Sequence, residues 1–381
     1  MAARPRKMVI AAVHPLASGA AQFNAAMVKA MAATSAVELL SWRRMYPPLL
    51  YRGPMIDTSS RVQSSPTAAF LLDWHDPRTW RRALRRIDEF HADALVLPWL
   101  HPVMTPPYRY LLKHAPKATA RVLICHNVVP HEPRPGVAWL TRAVLRHADL
   151  LVTHAPHQRQ ELALLGLDST PLVEAFHPRF VASDLAPQPT EEELAKERTR
   201  QGNPDLLLVT FGSVRPYKGV DVALDALALV DPGLDVRLIV AGHFWRSPRE
   251  LRAQAERLGV SGRVELRDGF ISNEQAALLF GVADAALLPY RSASQSGVVQ
   301  LSFAFGRPVI ATRVGGLPAS VEDGRDGLLC EPDDPVALAR AIERMACEQA
   351  ILAAGVRARE EESSFRRYSE LLDAALVGVR S

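Results

Sequence analysis

The stretch Asp205–Gly219 combines residue types that can hold an anion. It opens with a short apolar run, LLLVTF, of the kind that forms a buried parallel strand. Gly212 and the cations Arg215 and Lys218 follow, and Gly219 opens a segment whose apolar residues recur at helical spacing. Because a helix N-terminus carries free N–H groups and partial positive charge, this combination predicts an anion site. The alternative is a surface cation at a helix start.

Lys218 differs from the cations that follow the same stretch. It is the only lysine between residue 197 and the C-terminus, where the other cations are arginines. This usage favours a compact ammonium group at the position, in place of the planar guanidinium used elsewhere.

A histidine ends one of the strands predicted in the first half of the chain. His126 closes the apolar run at 121–126 and precedes a proline-rich loop that contains His131 and Glu132. Function in parallel α/β sheets collects at the carboxyl ends of strands, so His126 is a candidate general acid, general base or carbonyl-polarising group. The alternative is a histidine that only hydrogen-bonds its own loop.

Length and composition describe a globular chain with two domains. The chain has 381 residues, of which 48% are hydrophobic and 23% charged, and this length exceeds one ordinary core. The net charge of +4 is modestly basic and does not indicate nucleic acid. The three cysteines lack metal-ligand spacing and fit a reducing cytosol. The N-terminal apolar run is too short for a signal peptide, so a strand is expected there, and no stretch is long enough to span a bilayer.

Arginines cluster on one predicted helix in the first half of the chain. Arg81, Arg82, Arg85 and Arg86 would share one face of that helix. The simpler interpretation is a solvated face. The alternative is contact with anionic lipid headgroups or with a lipid-phosphate acceptor.

Short apolar runs alternate with amphipathic segments along the chain, which predicts an α/β fold of two Rossmann-like, doubly wound domains. The first domain covers residues 1–182 and the second covers 205–364. A polar segment at 183–204, with prolines towards both ends, is the expected linker and carries one short helix. The aromatic, proline-rich stretch at 43–65 is expected to be a long loop. Neither domain contains G-x-G-x-x-G, which disfavours an NAD-dependent enzyme.

Several classes of protein have two such domains, and motifs in the second half of the chain indicate which class this chain resembles. They follow in the order FGSVRPYKG, AGHFW, DGFISNEQ, ADAALLPY and SGVVQLSFAFGRPVIATRVGGLPASVEDGRDGLL. As a set they resemble the C-terminal donor domain of the retaining glycosyltransferase family 4. The resemblance implies the GT-B fold, in which the two domains face each other across a cleft. It also implies that a helix at 365–381 packs back on the N-terminal domain.

The resemblance implies catalytic roles for three residues. Lys218 matches the family lysine that binds the donor diphosphate. Arg215 is the counterpart of an arginine that usually stands where this chain has Ser213. His126 matches a histidine that faces the donor sugar.

A larger set of residues is expected to bind the donor. Phe270 and Ile271 fall where the family holds the base, and the loop at 296–298 falls where it meets the phosphates or the sugar. The full donor-binding set is Ser18, Gly19, Gly212, Ser213, Phe270, Ile271, Tyr290, Gln295, Ser296, Gly297 and Val298.

Carboxylates typical of the family are absent from this chain. A pair of glutamates separated by seven residues is common in the last loop, where two frames place either Ala293 with Leu301 or Ser294 with Ser302. Another usual glutamate position holds Ala319. Either neighbouring polar groups replace these carboxylates or donor binding is weakened. The candidate replacements are Gln295, Ser296 and Gln300.

The expected function is transfer of a sugar, with retention of configuration, from a nucleotide diphosphate sugar of the UDP or GDP type to a hydroxyl acceptor. A lipid-linked or polysaccharide precursor is the acceptor suggested by family habit. The two cations would stabilise the leaving diphosphate, so no cofactor and no obligatory metal is expected. The expected location is the cytoplasm, with peripheral contact at the inner face of the membrane. The alternative is a nucleotide-sugar-binding protein with weak or no turnover.

Overall fold

The structure is a computed structural model that describes residues 7–11, 19–45, 68–128, 136–245, 247–293 and 295–380. The described part of the chain forms two compact units. One contains the residues up to His177 together with those from Ser364 onward, and the other contains Pro178–Ser363. The loop predicted at 43–65 lies outside the described residues from position 46, and its first two residues belong to a strand.

The first unit contains a parallel sheet of seven strands. The strands are β1 (Lys7–Ala11), β2 (Ala36–Arg44), β3 (Ala69–Asp73), β4 (Ala94–Trp99), β5 (Ala120–Cys125), β6 (Leu150–Thr153) and β7 (Leu172–Glu174). The helices between them are α1 (Gly19–Ala32), α2 (Pro77–Glu89), α3 (Thr105–His114), α4 (Val137–Leu145) and α5 (Pro156–Leu164), with a 3-10 turn at Pro102–Met104. The strands lie in the order β3-β2-β1-β4-β5-β6-β7.

The helix α2 shows how the sequence pattern forms these elements. The side chain of Asp76 caps its first turn, and Pro77 occupies the first helical position, where no amide hydrogen is needed. Its buried residues recur every four positions and are Thr79, Ala83 and Ile87. The arginines at 81, 82, 85 and 86 are exposed, and Arg86 pairs with Glu38 of β2.

The second unit contains a parallel sheet of six strands. The strands are β8 (Leu206–Phe211), β9 (Val236–Gly242), β10 (Val264–Asp268), β11 (Ala285–Leu288), β12 (Val309–Thr312) and β13 (Gly327–Cys330). The helices are α6 (Ala182–Leu185), α7 (Glu191–Arg200), α8 (Val220–Leu229), α9 (Arg249–Arg257), α10 (Asn273–Val282), α11 (Gly297–Ala304), α12 (Leu317–Ser320) and α13 (Pro335–Ala358), with 3-10 turns at Pro216–Lys218 and Ser261–Arg263. The strand order is β10-β9-β8-β11-β12-β13.

The final helix, α14 (Phe365–Arg380), belongs to the first unit, where it contacts α1 and β5. The side chains it buries there recur every three or four positions and are Phe365, Tyr368, Leu372 and Leu376. The two parallel sheets with interleaved helices confirm the predicted α/β class. Among the described residues, no helix has both the length and the apolar character needed to cross a membrane.

The strand order reverses once in each sheet. In the first unit the chain moves from β1 to β2 on one side and later returns to place β4 on the other side of β1. In the second unit the same reversal lies between β8 and β11. Loops that leave such neighbouring strands diverge and open a crevice at the carboxyl ends, which is where open α/β sheets bind ligands.

Three elements differ from the sequence expectation. The segment predicted to be a linker with one short helix carries two, α6 and α7. Arg198 of α7 donates a hydrogen bond to Asp284, directly before β11, at 2.7 Å, so α7 packs within the second unit. Neither β13 nor α13 was predicted from the sequence, although Asp334 caps α13 and Pro335 begins it. These two signals for a helix start were overlooked.

A buried carboxylate holds α13 against the turn that leads into β13. Asp326 is completely buried, and Arg179 donates to its Oδ2 at 2.8 Å. Arg359, just after α13, pairs with the same oxygen. Arg179 also donates to the carbonyl of Val356 at 2.7 Å. Each of these charges is therefore stabilised by an oppositely charged partner.

Asp326→Ala is expected to lower the free energy of unfolding by about 3–5 kcal/mol, because it leaves the buried Arg179 guanidinium without a counter-charge. Urea denaturation followed by circular dichroism measures the loss. Glu348→Gln is the control, since it removes an exposed pair with Arg344 on α13 and should cost less than about 0.5 kcal/mol. Equal losses from both substitutions would contradict the role assigned to burial.

Candidate functional site

A buried lysine lies at the strand-order reversal of the second unit. Lys218 is only 5% exposed, and its Nζ donates a hydrogen bond to the carbonyl of Phe211, the last residue of β8, at 2.6 Å. The same Nζ lies 5.2 Å from the ring centroid of Tyr290, which follows β11. Burial, with a smaller contribution from the positive charge of Arg215, lowers the pKa of Lys218 to about 8. We call Gly212, Lys218, Gly219 and Tyr290 the switch-point site.

Gly219 is required by a close backbone approach at this site. Its φ is +64°, and a Cβ added there would lie 1.9 Å from the carbonyl oxygen of Pro289. No side chain fits, so the turn that carries Lys218 lies directly against the end of β11. Two hydrogen bonds hold the loop after β11: the Arg291 amide donates to the Tyr217 carbonyl at 2.7 Å, and the Thr312 hydroxyl donates to the Tyr290 carbonyl at 2.5 Å.

Arg215 lies three residues before Lys218 and is held by a tryptophan. Its guanidinium carbon lies 3.8 Å from the ring centroid of Trp245, in the loop after β9. The indole Nε1 of Trp245 donates to the hydroxyl of Ser213 at 2.7 Å. Trp245 lies in the motif AGHFW but was not among the residues predicted from the sequence to have a role. An aromatic residue two positions beyond a strand-terminal Gly–His was the available signal.

The two residues predicted to hold the base lie further along the carboxyl edge of the second sheet. Phe270 and Ile271 follow β10, which is separated from β8 by β9. Phe270 is 60% exposed, so its ring is accessible to a ligand.

The loop before α11 contributes polar groups near Tyr290. Ser296 caps α11 by accepting a hydrogen bond from the Val298 amide at 3.3 Å, and Gly297 is the first residue of the helix. Both polar side-chain atoms of Gln295, and Oε1 of Gln300, are buried without a hydrogen-bond partner within the described residues. Gln300 is only 3% exposed. Because a buried amide without a partner is costly, these groups are suited to hydrogen-bond a ligand.

Ser302, from one of the two frames for the missing glutamate pair, is already engaged. Its hydroxyl donates to the carbonyl of Arg307 at 2.9 Å, in the turn that follows α11. It therefore stabilises the turn. Ser294, its partner in that frame, lies outside the described residues.

In the first unit, three histidines follow three successive strands. His126 comes directly after β5, His154 directly after β6, and His177 shortly after β7. Their ring centroids lie 5.4 Å (His126 to His154), 5.6 Å (His154 to His177) and 6.5 Å (His126 to His177) apart. The ring of Phe23 from α1 packs edge-on against His126 at 4.5 Å. The hydroxyl of Tyr368 from α14 lies 2.8 Å from His154 Nε2.

Burial favours the neutral form of two of these imidazoles, those of His126 and His154. It lowers the pKa of His126 to about 3, with a smaller effect from His177, and it lowers the pKa of His154 well below the ordinary value. Nε2 of His126 is buried and has no hydrogen-bond partner in the described ranges. A neutral imidazole nitrogen of this kind can bind a hydroxyl group, but it is a poor general acid at pH 7.

Gln158 of α5 holds the ends of β5 and β6 together, and the sequence analysis did not identify it. Its side-chain amide donates to the carbonyls of Cys125 and His126, each at 3.1 Å. Its Oε1 accepts from the His154 amide at 2.7 Å. Since glutamines are common on helices, no local signal distinguishes this one, and only the fold brings it to both strands.

The remaining predicted residues lie at the limit of the described ranges or outside them. Gly19 begins α1, and Ser18 lies outside the described residues, as do His131 and Glu132. Over the part of the chain that the structure describes, no group of three or more histidine, cysteine, aspartate or glutamate side chains is arranged to hold a metal ion.

Comparison with known proteins identifies the second unit. Residues 205–348 match the family model described as glycosyl transferases group 1. This segment is similar to members of that family. The match confirms the resemblance predicted from the sequence motifs, and the group 1 segment includes the whole switch-point site.

Curated relatives of the chain are D-inositol 3-phosphate glycosyltransferases. The protein from Streptomyces scabiei is 32% identical over 243 residues, which are 61% of this chain and 54% of that protein. The protein from Geodermatophilus obscurus is 30% identical over 279 residues, which are 70% of this chain and 61% of that protein. The chain thus spans little more than half the length of these relatives.

Solved structures show the fold. HepE from Anabaena in complex with UDP superposes with a TM-score of 0.71 at 16% identity, covering 98% of this chain and 100% of HepE. Sucrose-phosphate synthase from Thermosynechococcus elongatus gives 0.69 at 19% identity, with 98% of each chain covered. The GT-B type of fold predicted for this chain is therefore confirmed.

The histidine cluster is expected to make stability fall in acid. His126 and His154 have lowered pKa values in the folded chain, so below about pH 6.5 the unfolded chain binds protons that the folded chain does not. Stability is therefore complete above that pH and lost as the pH falls, by about 1.4 kcal/mol per pH unit for each such histidine. Urea denaturation at pH 7 and pH 5 measures the slope. His154→Asn should make it shallower, and the exposed control His91→Asn should leave it unchanged.

The lowered pKa of Lys218 predicts that diphosphate binding weakens as the pH rises through about 8, because the ammonium loses its charge. UDP is a suitable probe, since its diphosphate is fully ionised above about pH 7.5. Calorimetric titration from about pH 7.5 to about pH 8.8, within which UDP keeps one protonation state, measures the effect. Lys218→Arg keeps its charge throughout this range and should remove the decline. An affinity that stays constant for the unmodified chain would contradict the assignment.

Proposed function

We propose that this protein is a retaining glycosyltransferase that moves a sugar from a nucleoside diphosphate sugar, of the UDP or GDP type, to a hydroxyl acceptor. The observation that carries the proposal is the buried ammonium of Lys218 at the strand-order reversal of a group 1 segment, with Arg215 on the same turn. The UDP bound by HepE and the sugar-transfer activity named for the curated relatives support it.

Departure of the diphosphate is the step that these residues would assist. The bond between the anomeric carbon and the diphosphate oxygen breaks, and negative charge develops on the leaving phosphate. Lys218 has three N–H donors, of which one is used on Phe211, so two are left for phosphate oxygens. Arg215 and the first amides of α8 add positive potential at the same place.

The acceptor hydroxyl would attack from the face that the diphosphate leaves. Its oxygen bonds to the anomeric carbon, and its proton passes to an oxygen of the departing phosphate. The mechanism needs no side chain as base, which agrees with the neutral, poorly basic His126. We assign His126 to hydrogen bonding of a sugar hydroxyl through Nε2. Because fixed cations supply the positive charge, the mechanism requires no divalent metal.

Amide groups would hold hydroxyls that the family usually binds through carboxylates. Gln295 and Gln300 have buried polar atoms without partners among the described residues, next to the cap of α11. An amide both donates and accepts hydrogen bonds, whereas a carboxylate only accepts. We assign Phe270 and Ile271 to the base. The proposed acceptor is a lipid-linked or polysaccharide precursor. The proposal also places the protein in the cytoplasm, where the exposed α2 arginines would contact the anionic inner face of the membrane.

The alternative is a nucleotide-sugar-binding protein without turnover. It is favoured by one specific feature, the absence of carboxylates at Ala293, Leu301 and Ala319. If the amides do not replace those groups, the donor would bind through its diphosphate while its sugar remained poorly oriented.

Lys218→Ala is expected to lower the rate of sugar transfer or donor hydrolysis by about 100- to 1,000-fold, as is typical when one preorganised charge contact with a transition state is lost. A thermal-shift panel of UDP, GDP, ADP and TDP first identifies the nucleotide, because binding raises stability by mass action. Turnover of the matching sugar nucleotides is then measured. Lys196→Ala, an exposed lysine on α7, is the matched control and should keep full activity.

The outcomes separate the candidate functions. Binding of a nucleoside diphosphate with no turnover, for any sugar nucleotide or acceptor extract, would favour the binding protein. Tight binding of NAD with no affinity for UDP or GDP would contradict both.

A further inference from the structure

Two loops at the carboxyl edge of the second sheet are joined by backbone hydrogen bonds, and a side chain at the end of β10 holds one of them. In the loop after β8, the Val214 amide donates to the carbonyl of His243, in the loop after β9, at 2.8 Å. The Trp245 amide donates back to the Val214 carbonyl at 3.1 Å. The Phe244 amide donates to the carboxylate of Asp268, the last residue of β10, at 3.0 Å. The position of Trp245 is thus fixed relative to all three strands.

The side chain of Trp245 is held at one edge and covered on one face. Its Nε1 donates to the Ser213 hydroxyl, and the Arg215 guanidinium stacks on the ring at 3.8 Å from the centroid. Trp245 is nevertheless 57% exposed. Burial of apolar area therefore does not account for a tryptophan here. Its clearest interactions are with two residues of the loop that leads to Lys218.

We propose that Trp245 is a positioning residue that holds the guanidinium of Arg215 in place to bind the diphosphate of the donor. This inference rests on the proposed function. Arginine has a long, flexible side chain, and ordering it on binding is costly. A planar indole beneath the guanidinium restricts it before the ligand arrives, and the cation–π attraction favours that arrangement.

Holding Arg215 in place matters for diphosphate binding because Arg215 lies close to Lys218. The charge of Arg215 contributes to the lowered pKa of Lys218, so both cations act in the same region. Without Trp245, Arg215 would lose the ring that restricts its guanidinium near the anion site. Trp245 would then affect diphosphate binding without touching the ligand.

Trp245→Ala tests the proposal through binding of two probes at pH 7.5, inorganic pyrophosphate and UDP, by calorimetric titration. If Trp245 acts through Arg215, affinity for both probes should fall by the same factor, about 3- to 30-fold, which is the range expected for a cation–π contact. Trp245→Phe keeps a ring and should recover most of the loss. Trp139→Ala, an exposed tryptophan on α4, is the matched control and should change neither affinity.

A double-substitution cycle with Arg215→Ala provides the decisive readout. In that background, Trp245→Ala should have no further effect on either probe, because the residue through which it acts is absent. A further loss of similar size in that background would overturn the proposal. So would a loss for UDP with none for pyrophosphate, which would indicate stacking on the base.

The test distinguishes this inference from the proposed function. Binding of pyrophosphate by the unmodified chain, without binding of any nucleoside diphosphate, would contradict the proposed function, while the pyrophosphate cycle would still decide the role of Trp245. Absence of both kinds of binding would overturn both proposals.

Discussion

The burial of one positive charge, the ammonium of Lys218, is the constraint on which the switch-point site depends. A buried ammonium loses its hydration, and its single hydrogen bond to the Phe211 carbonyl together with the face of Tyr290 only partly compensates. The lowered pKa expresses the deficit that remains. A bound anion would remove that deficit. The close contact of Gly219 with Pro289 and the hydrogen bonds of the β11 loop hold the charge in a place where it is costly without a ligand.

The first unit presents different chemistry at the carboxyl edge of its own sheet. Its three clustered histidines are surrounded by aromatic rings from α1 and α14. Burial disfavours the charged form of His126 and His154, so these two side chains offer neutral nitrogen atoms. Gln158 fixes the strand ends that carry His126 and His154. Loss of hydration thus lowers the pKa of the Lys218 ammonium in the second unit, and it favours the neutral form of His126 and His154 in the first.

The chain differs from the pattern of the family that it resembles in the groups around the turn that carries Lys218. Buried amides stand near the positions where glutamates are usual, and a tryptophan supports the arginine that replaces the usual one. With the cation at position 215 instead of 213, its guanidinium stacks on the ring of Trp245. The serine left at 213 accepts the indole hydrogen bond. These changes form one connected arrangement, in which the altered arginine position and the tryptophan depend on each other.

The sequence alone determined the alternation of strands and helices, and it predicted an anion site after β8. The predicted bounds of β8 and α8 agree with the structure, because an unbroken apolar run and a glycine before a helical repeat are local signals. Lys218 and Arg215 could be singled out for the same reason. One short helix was predicted at 183–204, but the sequence did not show that α7 packs within the second unit through ion pairs with distant residues. Neither β13 nor α13 was predicted, although Asp334 and Pro335 are local signals for the start of α13.

Only the tertiary structure decided which residues meet. The strand order places β11 beside β8 and so brings Tyr290 to Lys218, although 72 positions separate them in sequence. It likewise brings Trp245 onto Arg215 and Gln158 onto the ends of two strands. Local patterns carry no information about these pairs, because cross-strand contacts depend on how the sheet is ordered. The lowered pKa values follow from burial, which exists only once the chain has folded.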